Sequence, residues 1–170
     1  MNPAGITAFI GIGANLGDPA AQVLEACARL ARDLPDSRLV ARSSLYRNPP
    51  MGPQDQPDYV NAVARVLTRL EPGALLAELQ RIETAMGRRR DGTRWGPRLL
   101  DLDILLYGTM RINEPGLHIP HPGLAERDFV LFPLRELAPD LEIPDRGTVA
   151  QLCRTVSAAG LVAIPEEARA

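Results

Sequence analysis

Apolar residues recur along this chain with two different periods, and each period indicates a different kind of element. Between residues 59 and 70, Val60, Ala62 and Ala64 alternate with other residues, and this period of two places them on one face of a β-strand. Between residues 18 and 34, apolar residues recur every three or four positions, as on the buried face of a helix. The same reasoning predicts β-strands over residues 7–13, 37–47, 59–70 and 98–107 and helices over residues 19–34, 72–86 and 126–137.

The order of these elements predicts the fold class. A β-α-β-β-α-β succession is typical of an α+β, ferredoxin-like sandwich in which two helices cover one face of the sheet. We expect additional loops and C-terminal helices to follow it, with a loop over residues 113–123 and a short helix after about Gly147. At 170 residues, of which 45% are hydrophobic, the chain is expected to form a single domain over residues 1–170. Its core needs neither disulfides nor a structural metal.

The strand predicted over residues 98–107 carries two aspartates in an otherwise apolar run. Asp101 and Asp103 are two positions apart, so they project from the same face, about 6 to 7 Å from each other. Like charges this close are unfavourable without a cation, and Mg²⁺ prefers such oxygen ligands. Five arginines just upstream could bind phosphate; they are Arg88, Arg89, Arg90, Arg94 and Arg98. The pattern indicates a metal-nucleotide site, although an ion-pair network on a solvated face would produce it equally well.

Composition narrows the candidate chemistry. The chain contains no lysine, which excludes the phosphate-binding lysine of a P-loop and Schiff-base catalysis through lysine. Its net charge of −2 argues against a general attraction for nucleic acid or an anionic membrane. Cys27 and Cys153 lack the spacing of metal ligands and are expected to be buried thiols in a reducing compartment. The first residues lack the pattern of a signal peptide, so we expect a cytoplasmic protein.

The glycine-rich segment Gly11–Gly17 follows a predicted strand and opens a helix, as a dinucleotide-binding turn does. Its glycines are spaced one residue too far apart for that motif, and the acidic residue expected at the end of the second strand is missing from Tyr46–Asn48. We interpret the segment as a tight turn that lets the backbone approach a neighbour closely.

Longer motifs resemble a known family. The segments 94–104, 48–61 and 120–122, together with the opening segment 10–17, are similar in sequence and order to the 6-hydroxymethyl-7,8-dihydropterin pyrophosphokinases of folate biosynthesis. The resemblance extends from about Phe9 to Asp145. It implies a ferredoxin-like fold and transfer of the terminal pyrophosphoryl group of ATP to the hydroxymethyl oxygen of the pterin, with release of AMP.

The resemblance also implies roles for residues at the phosphate end of the site. Asp101 and Asp103 would bind two Mg²⁺ ions and, with Arg88 and Arg98, form the catalytic group. Arg94 and Trp95 match a mobile loop that closes over the site. The positions that match ATP-binding residues are Gln80, Glu83, Arg88, Arg90, Arg94, Trp95, Arg98, Ile104 and His121.

For the pterin, the resemblance implies recognition by stacking and by an amide. Tyr59 and Phe129 match an aromatic pair on the two faces of the ring, and Asn61 matches an amide that reads its polar edge. The complete set of matching pterin-binding positions is Pro50, Met51, Tyr59, Asn61, Trp95, Arg127 and Phe129. His118 and His121 have metal-like spacing without a third ligand, so contact of His121 with phosphate is the better interpretation.

Two other functions stay open on the residues alone. A nucleotidyltransferase could use the same paired carboxylates with two metals, but it would release pyrophosphate rather than AMP. A non-catalytic ferredoxin-like module that binds RNA or a small ligand would place aromatic residues on its strands, and only 4% of the residues are aromatic. We expect a monomer whose partners are ATP and the pterin, with no binding of nucleic acid or membrane.

Overall fold

The computed structural model describes residues 4–50, 55–87 and 100–165. Within these ranges it contains an α+β fold, which confirms the predicted class. In chain order, the elements are β1 (Ile6–Ala14), α1 (Pro19–Asp33), β2 (Ser37–Arg42), β3 (Leu45–Asn48), β4 (Tyr59–Thr68), α2 (Pro72–Ala85), β5 (Asp101–Tyr107), β6 (Ile112–Glu114), β7 (Leu117–Ile119), α3 (Asp128–Leu137), β8 (Glu142–Ile143), β9 (Gly147–Thr148), α4 (Val149–Cys153) and β10 (Val162–Ile164).

The main sheet is antiparallel and has the strand order β10-β3-β4-β1-β5, with β2 also paired to β4. β1 lies between β4 and β5, so residues from three strands stand side by side in rows. One row runs from Asn61 through Gly13 to Asp101. The next runs from Val63 through Gly11 to Asp103. The two aspartates therefore share a face of the sheet, as their spacing predicts.

Helices cover both faces of the sheet. α1 and α2 pack on one face, where Ile10, Ile12, Leu79 and Leu102 belong to one buried cluster. α3 and α4 pack on the other face, over a second cluster that includes Leu105. The sequence predicted helices on one face only, because the apolar pattern of a single helix does not reveal which face of a sheet it covers.

The predicted boundaries of the first two helices are confirmed by their caps. Asp18 precedes α1, and its carboxylate accepts a hydrogen bond from the backbone N–H of Ala21 at 3.2 Å, as expected of an N-cap residue followed by proline. α2 begins at Pro72 and is followed by Gly87, whose φ of 93° suits glycine. Cys27 and Cys153 are buried as predicted, and burial raises the pKa of Cys27 to about 11.

Three local predictions differ from the structure. The strand predicted over residues 37–47 is divided into β2 and β3, and at the break Glu136 of α3 accepts hydrogen bonds from the backbone N–H and the hydroxyl of Ser44. The loop predicted over residues 113–123 contains the hairpin β6–β7. The strand β10 was not predicted, and it pairs with β3 from more than a hundred residues away in the chain. In the described ranges, no helix has the length and apolar character needed to cross a membrane.

Candidate active site

A cavity of about 490 Å³ opens on the face of the sheet that α3 covers only in part. Its walls come from β1, β4 and β5, from the segment after β7 and from the start of α3. Eight of the residues predicted for the site lie around it. They are Tyr59, Asn61, Asp101, Asp103, Ile104, His121, Arg127 and Phe129.

The other predicted residues do not line this cavity or lie outside the described ranges. Gln80 and Glu83 are on α2, and Gln80 is one turn beyond Leu76, which does line the cavity. Pro50 is buried beside the loop that precedes β4. The remaining predicted residues lie outside the described ranges; they are Met51, Arg88, Arg90, Arg94, Trp95 and Arg98.

Two glycines of β1 form the floor of the cavity. Gly11 and Gly13 lie between the side chains of β4 and those of β5, in the two rows defined above. A Cβ atom at Gly13 would lie 2.5 Å from Oδ1 of Asn61, and one at Gly11 would lie 3.3 Å from Cδ2 of Leu105. Both glycines belong to the strand predicted over residues 7–13, and the close approach predicted for the segment Gly11–Gly17 occurs within that strand rather than in a turn. Glycine at alternate positions of an apolar strand was the available signal, since it marks close approach of a ligand or of another group.

The paired carboxylates are presented on an edge strand that α2 supports. Asp101 and Asp103 are half-buried and face the cavity. Between them, the backbone N–H of Leu102 donates to a carboxylate oxygen of Glu83 at 2.7 Å, and Glu83 is only 2% exposed. Outward N–H groups of an edge strand have no ladder partner and need another acceptor. Glu83 supplies it at the residue that separates the two aspartates, a role that the spacing of residues on α2 did not reveal.

The donor set at this edge fits a hard divalent cation bound together with phosphate. Among residues 4–50, 55–87 and 100–165, no group of three or more His, Cys, Asp or Glu side chains could hold a metal alone. Mg²⁺ is typically bound by one or two carboxylates, with substrate phosphates and water completing its octahedron. Two carboxylates facing an open cavity match that requirement.

His121 faces the same cavity as a neutral hydrogen-bond donor. Its backbone N–H donates to the carbonyl of Leu105 at 2.9 Å, which holds this segment against β5. Nδ1 of the ring accepts from the N–H of Gly123 at 3.1 Å. Burial and the charge of Arg127 lower the pKa of His121 to about 4, although Asp101 opposes this shift. The proton of the neutral ring is therefore on Nε2, which can donate to an anionic ligand.

The other end of the cavity is aromatic and amide-lined. Tyr59 begins β4 and Phe129 lies in the first turn of α3, and both are half-buried. The guanidinium of Arg127 lies 5.8 Å from the centre of the Phe129 ring. Two apolar rings and a cation around one space can bind a flat, polar heterocycle.

Buried amides support this end of the cavity, and of these only Asn61 had a role predicted from the sequence. Nδ2 of Asn61 donates to Oδ1 of Asn48 at 2.6 Å, and Nδ2 of Asn48 donates to the carbonyl of Pro49 at 3.1 Å. Nδ2 of Asn15 donates to Oε1 of Gln56 at 2.8 Å and to the carbonyl of Pro57 at 3.0 Å. These bonds fix the chain on both sides of the segment that joins β3 to β4. A hydrophobic pattern does not reveal such pairs, because the groups that pair are polar and most of them are distant from one another in sequence.

Comparisons with known proteins identify the family of the chain. Residues 9–139 match the family model described as 7,8-dihydro-6-hydroxymethylpterin-pyrophosphokinase (HPPK). The 2-amino-4-hydroxy-6-hydroxymethyldihydropteridine pyrophosphokinase of Haemophilus influenzae is 50% identical over 149 residues, which cover 88% of this chain and 92% of that protein. The protein of the same name from Pseudomonas aeruginosa is 46% identical over 157 residues, covering 92% and 96% of the two chains.

Solved structures agree on the fold. A chain described as HPPK-DHPS in complex with substrates superposes with a TM-score of 0.71 at 12% identity and is matched by 89% of this chain. Wild-type HPPK-DHPS of Plasmodium falciparum gives a TM-score of 0.67 at 13% identity. This chain spans 45% and 44% of the length of those two chains.

Proposed function

Because this chain belongs to the 7,8-dihydro-6-hydroxymethylpterin pyrophosphokinase family, we propose which part of its cavity binds each substrate. An enzyme of this family acts in folate biosynthesis and transfers pyrophosphate from ATP to hydroxymethyldihydropterin. The pterin occupies the end with Tyr59, Asn61 and Phe129. The triphosphate occupies the end with Asp101, Asp103 and His121. The hydroxymethyl oxygen then meets the β-phosphorus between them, and AMP leaves.

The row that joins Asn61, Gly13 and Asp101 is the observation that carries this proposal. Paired strands lie about 4.8 Å apart, so the backbones at the two ends of the row are roughly 10 Å apart. Glycine at the centre leaves the space above the row empty of side chains. A two-ring heterocycle held at Asn61 can therefore extend its substituent over the floor toward the aspartates, which favours direct attack through proximity and orientation.

At the phosphate end, Asp101 and Asp103 would hold two Mg²⁺ ions. Bound there with ATP, the metal would neutralise phosphate charge and make the β-phosphorus more electrophilic. The protein's own contribution is to present both carboxylates on one face of β5, and Glu83 holds the intervening backbone at Leu102. Catalysis is then mainly positioning and charge neutralisation, and no general base is assigned.

His121 would contact the triphosphate from the opposite wall, while Arg127 keeps its predicted place at the pterin end. The neutral ring of His121 donates from Nε2 to a phosphate oxygen, and the positive charge of Arg127 acts on that ring from the pterin end. A bound phosphate would also offset the positive field that lowers the pKa of His121. This wall would therefore bind the anionic ligand more tightly than the uncharged pterin.

At the pterin end, Tyr59 and Phe129 would lie on the two faces of the ring and Asn61 at its polar edge. The half-buried position of both aromatic rings at one cavity supports this arrangement. Ile104 lines the cavity beside the aspartates and would contact the nucleotide, with Gln80 and Glu83 nearby on α2. The roles of Met51, Arg88, Arg90, Arg94, Trp95 and Arg98 rest on the resemblance described above. A single domain, a monomeric state, a cytoplasmic location and the absence of nucleic-acid binding stay predictions.

Product analysis tests the proposal. The protein would be incubated with ATP, Mg²⁺ and 6-hydroxymethyl-7,8-dihydropterin, and AMP, ADP and pyrophosphate would be resolved in one chromatogram. We expect AMP that depends on both the pterin and Mg²⁺. Release of pyrophosphate would instead favour nucleotidyl transfer, and ADP would favour transfer of a single phosphoryl group.

A further inference from the structure

We infer that Asn48 is a positioning residue that fixes the orientation of the Asn61 amide, so that the cavity selects a 4-oxo pterin over a 4-amino pteridine. The inference rests on the proposed function, because it assumes that the polar edge of a pteridine lies at Asn61. The role of Asn48 determines whether the cavity binds a pteridine with an oxo or with an amino group at position 4.

The orientation follows from a chain of hydrogen bonds that begins at a backbone carbonyl. The carbonyl of Pro49 can only accept, so the group of Asn48 that lies 3.1 Å from it is the amide nitrogen Nδ2. Oδ1 of Asn48 then points away from Pro49 and requires a donor. The group of Asn61 at 2.6 Å must therefore be its own Nδ2. Asn48 and Asn61 are only 5% and 8% exposed, so a reversed amide would place two acceptors or two donors in contact away from water.

The fixed amide presents a defined polarity to the cavity. Oδ1 of Asn61 lies on the side of β1, 2.5 Å from where a Cβ atom of Gly13 would be. In the described part of the chain, no donor reaches this oxygen. Asn61 thus offers one acceptor and the remaining hydrogen of its Nδ2, in an order that Asn48 determines.

A pterin and its 4-amino analogue carry opposite polarities at this edge. The 4-oxo ring has a donor at N3–H beside an acceptor at O4, which pairs with an amide through two hydrogen bonds. Replacement of the 4-oxo group by an amino group turns N3 into an acceptor and places donors at position 4. An Asn61 that could rotate would pair with either ring. An Asn61 held by Asn48 pairs with the 4-oxo ring when N3–H faces Oδ1, and in the same pose the 4-amino ring leaves unpaired groups.

The test compares two ligands that differ only at position 4. Binding of 6-hydroxymethylpterin and of 2,4-diamino-6-hydroxymethylpteridine would be measured by pteridine fluorescence at pH 7, where both rings are neutral. Each titration would be done with and without Mg²⁺ and α,β-methylene ATP, so that either binding order is covered. The proteins are the wild type and a matched pair, Asn48→Val and Asn48→Thr. Valine and threonine have the same shape, but only the threonine hydroxyl can donate to Pro49 and accept from Asn61.

We expect the wild type and Asn48→Thr to prefer the 4-oxo ligand by about tenfold or more. In Asn48→Val the preference should fall toward one, because the 4-oxo ligand binds more weakly and the 4-amino ligand does not. Equal weakening of both ligands in Asn48→Val would overturn the inference, since a purely structural role affects both alike. The absence of a preference in the wild type would overturn it as well.

Two further measurements separate the possible failures. The melting temperature of each variant checks folding, and Asn48→Leu replaces Asn48→Val if the latter does not fold. Failure of the wild type to bind either pteridine under any condition would refute the proposed function itself. Binding without selectivity would refute only the role of Asn48.

Discussion

Addition of one methyl group at Gly13 should damage the pterin end of the cavity. The new Cβ atom would lie 2.5 Å from Oδ1 of Asn61, whereas ordinary contacts begin at 3.4 Å, so about 0.9 Å of displacement is needed. Asn61 cannot yield easily, because Asn48 holds its amide from the other side at 2.6 Å. The movement must therefore break that hydrogen bond or bend β1.

The magnitude follows from overpacking of a closely packed site. Such insertions destabilise proteins by about 1 to 3 kcal/mol, and replacement of a glycine by alanine recovers about 0.4 to 1 kcal/mol through the unfolded chain. We expect Gly13→Ala to lower the free energy of unfolding by about 1 to 2 kcal/mol in total. For a chain of this size, this corresponds to a fall of about 2 to 8 °C in the melting temperature. Because the displaced group is Asn61, the KM for the pterin should rise about tenfold, and the KM for ATP should change less.

Two other glycines serve as controls. Gly11→Ala adds the same group to the same face of β1, where the nearest atom is Cδ2 of Leu105 at 3.3 Å. That methyl lies at the end of a flexible side chain, so stability should change by less than about 1 kcal/mol. Gly73→Ala on α2 meets nothing within 4 Å and should stabilise the helix slightly without altering activity. A Gly13→Ala protein as stable as Gly11→Ala, with an unchanged KM for the pterin, would refute this reasoning.

Three further predictions concern the phosphate end. Asp101→Ala and Asp103→Ala should each abolish AMP formation without lowering the melting temperature of the ligand-free protein. The reason is that removal of one of two like charges does not weaken packing. A large fall in the melting temperature would indicate a structural ion pair instead. Glu83→Leu should lower the free energy of unfolding in denaturant by about 1 to 3 kcal/mol and should lower kcat, because the N–H of Leu102 is left without this acceptor. Glu83→Gln can still accept this hydrogen bond and should keep most of the stability and of kcat. The lowered pKa of His121 predicts that ligand-free stability decreases as the pH falls from about 6.5 to about 4, because the unfolded state binds a proton first; His121→Gln should flatten this part of the stability profile.

Controls for these three predictions come from the same chain. Asp140→Asn changes an exposed carboxylate that does not line the cavity and should leave AMP formation and stability unchanged. For His121, the shift from 6.5 to about 4 corresponds to at most about 3 kcal/mol, and partial exposure reduces the expected effect to about 1 to 2 kcal/mol. A stability profile of wild type that is no steeper than that of His121→Gln between these pH values would contradict the assignment of a neutral, half-buried ring.

Local features of this protein could be predicted from its sequence because they depend on residues close together in the chain. The period of two in β5 places Asp101 and Asp103 on one face whatever surrounds the strand. Asp18 and Pro19 define the start of α1 through backbone geometry alone. The resemblance of longer segments to a family predicted the site residues. Of the predicted residues that the structure describes, eight surround one cavity.

Only the tertiary structure decided which distant residues meet. Gly13 lies beside Asn61 and Asp101 because of the register of three strands, and a shift of one residue would exchange the faces of every side chain. Glu83 reaches Leu102 because α2 packs along β5, and β10 pairs with β3 across more than a hundred residues of chain. A hydrophobic pattern reports the face on which a residue lies, but it carries no information about the partner across that face. The sequence alone therefore determined most of the helices and strands and the chemical groups, and long-range packing determined their arrangement into a site.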